Sequence, residues 1–104
     1  MSAVIKHDPE DISKSAKQLF YELNQSLGFD YLTGTTVTWL SIIRERMETD
    51  GYTPAPNPDD PDQLCITVML ANPLPEGSSI PHELEGEKGT YKVFSWVGGR
   101  TVFA

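Results

Sequence analysis

The 104-residue chain holds one cysteine, Cys65, which excludes an intramolecular disulfide and fits a reducing compartment. Within the apolar run LCITVML, Cys65 reads as a small buried hydrophobe rather than a nucleophile. Long hydrophobic runs are missing too. No stretch approaches the roughly 20 apolar residues that cross a bilayer, and MSAVIKHDPED lacks the apolar core of a secretory signal. The expected location is cytoplasmic.

Histidine is scarce, with only His7 and His82, and neither belongs to an HExxH pattern or a Cys/His ligand set. G-x-S-x-G and S-x-x-K are absent, and GEKGT lacks the glycine spacing of a phosphate-binding loop. The expectation is therefore a protein without cofactor, metal or catalytic residues. Catalytic triads assemble in space rather than along the chain, so a small enzyme remains as a third reading.

Positive charge is the most unevenly distributed shortage. Residues 48–87 contain no Lys or Arg but carry Glu48, Asp50, Asp59, Asp60, Asp62, Glu76, Glu83, Glu85 and Glu87. That segment has a charge of −9, whereas the remainder, with six acids against eight bases, has +2. The net −7 argues against direct nucleic-acid binding and against an anionic membrane surface, since both require positive potential. It suits a basic protein partner.

What is present supports one folded domain over residues 1–104, with 38% hydrophobic residues and a modest core. Asp8 and Pro9 begin a helix, Glu10 and Asp11 place negative charge at its N-terminus, and Gly28 ends it. Ile12, Ala16, Leu19, Phe20, Leu23 and Leu27 form its apolar stripe, which predicts a helix over 9–27. A second helix is expected over 36–50, capped by Thr35 or Thr36, lined by Val37, Leu40, Ile43 and Met47, and closed by Gly51. TPAPNPDDPDQ has four prolines in eight residues and is a connector. LCITVMLAN reads as a strand buried on both faces. PLPEGSSIPHELEGEKG reads as a second irregular connector.

Two strand-like runs around Gly98-Gly99 then predict a C-terminal hairpin. A two-residue turn there places Phe94, Trp96 and Phe103 on one face and Tyr91, Val93, Val97 and Val102 on the other. The expected class is α+β: two N-terminal helices packed on a small, mainly antiparallel three-stranded sheet, in the order ααβββ. Either the helices embrace the sheet or one apolar face is left for a partner.

Two functional expectations follow. The first is a non-catalytic acidic protein-binding module, in its sharper form an inhibitor that mimics nucleic acid and occupies a basic surface of another protein. Its binding residues are Glu48, Asp50, Asp59, Asp60, Asp62, Glu83, Glu85 and Glu87. The two acidic connectors flank a strand that separates their near ends by ~26 Å, so two acidic poles are expected unless the chain folds back. A Ca²⁺ or Mg²⁺ site at Asp59, Asp60 and Asp62 is disfavoured, because the loop lacks the EF-hand's turn glycine and terminal glutamate. The second expectation is an assembly subunit, a homodimer joined through the hairpin face of Tyr91, Val93, Val97 and Val102.

Overall fold

The computed structural model describes residues 4–28, 30–46 and 52–97. It is an α+β fold with elements in the order α1 (Pro9–Leu27), β1 (Leu32–Trp39), α2 (Leu40–Arg46), β2 (Leu64–Leu70), β3 (Glu83–Glu85) and β4 (Thr90–Val97).

α1 follows its local signals. Asp8 accepts hydrogen bonds from the amides of Glu10 (2.9 Å) and Asp11 (3.1 Å), satisfying donors that the first turn leaves free. Gly28, at φ +96°, closes the helix with its amide on the Asn24 carbonyl at 2.9 Å. Ile12, Ala16, Leu19 and Leu23 are buried, and Phe20 and Leu27 pack beside them.

The second helix differs from expectation. Residues 36–39 are strand, and helix occupies only Leu40–Arg46, while Met47, Glu48, Asp50 and Gly51 lie outside the described residues. The threonine-rich TTVTW stretch pairs antiparallel with the buried strand β2, which its β-branched residues favour. Val37, Leu40 and Ile43 mimic a helical stripe in sequence but serve opposite faces of the sheet. Val37 packs toward α1, whereas Leu40 and Ile43 join Cys65 and Phe94 in a second cluster. Neither Thr35 nor Thr36 caps α2. The Leu40 amide bonds the Gln63 carbonyl at 2.8 Å, and Asp62 supplies the capping carboxylate.

The sheet has four strands rather than three, ordered β1-β2-β4-β3. β1–β2 and β3–β4 are antiparallel, whereas β2 and β4 run parallel, so the sheet is mixed. A parallel pair requires a long crossover, and residues 71–89 provide it. Within that crossover lies β3, which the irregular reading of the second connector missed. Glu83 and Glu85 flank the inward-packed Leu84, and the Gly86 amide bonds the Gly89 carbonyl at 2.7 Å to turn into β4. Gly86 tolerates no side chain. An added Cβ would stand 2.6 Å from Asp11 Oδ2 and 2.7 Å from Tyr91 Cε2.

The two helices cover different faces. α1 packs on Ile66, Val68, Leu70, Tyr91 and Val93, and α2 covers Cys65 and Phe94 from the other side. This corrects the hairpin dimer face: Tyr91 and Val93 are 0% and 1% exposed, and Val97 packs on the same cluster. The α1 stripe takes up this apolar surface within the single chain. Val102, Phe103 and the Gly98-Gly99 turn lie outside the described residues. Among the described residues no helix is long and apolar enough to cross a membrane.

Candidate functional site

The two acidic connectors meet in space. Because β4 returns parallel to β2 and β3 folds against it, Glu83 sits opposite Lys92 in the β3–β4 register. Lys92 Nζ in turn lies 3.6 Å from Asp60 of the first connector. Between them opens a cleft of about 420 Å³, with Pro54, Ala55, Val93 and Phe94 among its apolar lining and Asn57, Asp60, His82, Glu83 and Lys92 as its polar groups. The ~26 Å separation expected along β2 therefore does not describe the surface.

The cleft walls are held by specific bonds. Asn57 Oδ1 accepts the Asp59 amide at 2.9 Å, and the Asn57 carbonyl accepts the Asp60 amide at 3.2 Å, making a tight turn. Arg44 clasps this turn from α2. Its Nε and Nη2 reach the Asn57 carbonyl at 3.2 and 2.7 Å, and Nη2 also bonds the Asp60 carbonyl. On the opposite wall the His82 carbonyl accepts the Val93 amide at 2.9 Å, and His82 Nε2 lies 3.2 Å from the Tyr52 carbonyl. A carbonyl only accepts, so Nε2 is the donor in this contact.

The predicted binding residues divide into three groups. Asp59, Glu83 and Glu85 are exposed and, among the described residues, no cation pairs with them. Asp60 and Glu87 are each met by a lysine, Lys92 and Lys14, both at 3.6 Å. Asp62 is structural: its carboxylate bonds the Ser41 amide and hydroxyl and the Gln63 amide. Its backbone also pairs with the N-terminal segment, its carbonyl accepting the Ile5 amide at 2.9 Å. Glu48 and Asp50 lie outside the described residues. The three aspartates of the first connector thus take on different roles. Among the described residues no three His, Cys, Asp or Glu side chains are grouped to hold a metal ion.

Sequence reasoning missed Arg44, Lys92 and Lys14 as partners of the acidic segment, because each lies outside its boundaries. His7 is half-buried, meets the Tyr91 ring edge-to-face at 4.8 Å between centroids, and lies 3.2 Å through Nε2 from Gln63 Oε1.

Beside His7 is a second polar cluster, at the start of α1. Asp11, 6% exposed, accepts from the Tyr91 hydroxyl, the Lys88 amide (2.8 Å) and the Glu87 amide (3.3 Å). The Tyr91 hydrogen bond, followed by the Lys88 amide, holds the Asp11 carboxyl below its ordinary range. Burial, reinforced by Asp11, pushes the Tyr91 phenol up to about 12. The Lys88 ammonium bonds Asp8 at 2.9 Å, lowering the Asp8 carboxyl and raising its own pKa. These residue types resemble an acid-base site, but their hydrogen bonds close on one another. The cluster locks the β3–β4 turn onto α1.

Comparison with family models, curated proteins and solved structures finds no match to this chain.

Proposed function

We propose that this protein is a non-catalytic acidic binding module that engages a basic surface of a partner protein. In its sharper form it covers a surface that otherwise binds nucleic acid. One observation carries the reading: unpaired, exposed carboxylates from both connectors flank a single cleft. Asp60 and Glu83 line it together with Lys92, Asp59 stands next to Asp60 in the first connector, and Glu85 lies two residues beyond Glu83 along β3, outside the lining. A partner's lysine or arginine entering the cleft meets Glu83 and competes with Lys92 for Asp60. The apolar wall shields that contact from solvent and strengthens it.

The charge of the surface is smaller than the sequence count, since Arg44, Lys92 and Lys14 reach the acidic segment. Steering of a basic partner therefore rests on Asp59, Glu83 and Glu85. With the partner identified by affinity purification from the native cell, binding is titrated at low and high salt. Reversing Glu83 and Glu85, and separately Asp59, to lysine should weaken binding about tenfold or more at low salt and flatten its salt dependence. Affinity unchanged at both salt concentrations would overturn the reading.

A further inference from the structure

The sheet has two edges, and they are built differently. β3 is three residues long, with Glu83 and Glu85 exposed along it, a short charged edge of the kind that resists pairing with another chain. β1 is eight residues long, and among the described residues no strand pairs with its outer side. The whole stretch 31–43, YLTGTTVTWLSII, contains no charged residue and no proline. Trp39 and Ile42, each 40% exposed, add apolar surface where β1 passes into α2.

We infer that the outer edge of β1 pairs antiparallel with β1 of a second copy of this chain, joining two sheets into one. The choice of a second copy rests on charge. Two molecules of net −7 repel each other, and β1 is where they approach without opposing like charges. A basic partner is drawn instead to the cleft carboxylates, whereas β1 offers it no charge. A two-fold axis through an antiparallel pair sets one residue opposite its own copy, so the contact is isologous and closes as a dimer. Threonines 33, 35, 36 and 38 then meet a threonine-rich strand, a favourable cross-strand pairing. The bulge between Leu32 and Gly34 leaves the stretch Gly34–Trp39 in continuous register with β2. This inference is independent of the acidic cleft, which lies beyond β2 on the β4–β3 side of the sheet.

Sedimentation equilibrium of the full chain, across the micromolar range and in moderate salt, tests it. The expected result is a monomer–dimer equilibrium that Thr33→Lys and Trp39→Lys each weaken about tenfold or more, since a lysine on a strand edge opposes pairing. Gln25→Ala, a charge-neutral change at an exposed position of α1, should leave the equilibrium in place. Amide exchange of the parent protein supplies a readout that needs no variant: protection on β1 should rise with protein concentration while that of β4 stays constant. A strict monomer throughout, or a dimer undiminished by both lysine variants, would overturn the inference.

Discussion

Asp62 reaches back to the first turn of α2 and holds Ser41 through both carboxylate oxygens, one on the amide at 3.0 Å and the other on the hydroxyl at 3.1 Å. The contact spans 21 residues, so the cap of this helix comes from the far side of a proline-rich loop. It explains why a helix of seven residues, too short to persist alone, forms at this place.

Replacing Asp62 with alanine should lower stability by ~0.5–2 kcal/mol, the usual cost of losing a cap. The neighbouring Asp59→Ala should change it by less than ~0.5 kcal/mol, as for an ordinary surface position. Urea denaturation separates the two, as a shift in midpoint at constant slope. Equal effects would show that the carboxylate is not a cap. The contrast also matters for binding, because lost affinity in an Asp62 variant reports folding as well as charge.

The Asp11–Tyr91 pair predicts a pH window with two limits. The folded carboxyls of Asp8 and Asp11 titrate below their ordinary value, so near pH 4 the unfolded chain binds more protons than the folded one. Their stabilisation is complete above that pH and is lost as pH falls through the lowered folded values. Tyr91 acts at the other end. Its folded pKa of about 12 exceeds the unfolded value near 10, so its contribution is complete below pH ~10 and disappears as pH rises toward 12. Tyr91→Phe should lower the urea midpoint at neutral pH and reduce the fall in stability between about pH 10 and 12. An alkaline limb identical to that of the parent would contradict the assignment.

Cys65 is fully buried in the α2-side cluster, and burial pushes its thiol up to about 12. A thiol-modifying reagent at neutral pH should therefore react with the native protein only through opening of the fold, roughly a hundredfold or more slower than with the urea-unfolded chain. Rapid labelling of the native protein would contradict the placement of α2 over this face.

Legibility in the sequence followed the range of the interactions. α1 was readable to the residue, because the Asp8 cap, Pro9, the Ile12–Leu27 stripe and Gly28 are all local signals. β2 was readable as a buried strand that starts at Leu64 and ends two residues before the expected Asn72, and the alternation of Tyr91 and Val93 against Phe94 in β4 matches the two core clusters. Cys65 was readable as a core residue. The strand-to-helix switch between Trp39 and Leu40 was not. Residues 36–43 satisfy a helical period and a strand propensity at once, and pairing with β2 on one side and the Asp62 cap on the other decided between them.

The cleft shows the same division. Sequence alone determined which carboxylates are present, that residues 48–87 hold no base, and that the prolines of NPDDPDQ exclude regular structure there. Tertiary structure decided which of those carboxylates remain available. It placed Asp62 under α2, brought Lys92 to Asp60 and Lys14 to Glu87, and set Glu83 across the cleft from the first connector. The physical reason is that a parallel β2–β4 pair returns the chain to the start of the sheet, and that return is written in no local stretch of residues.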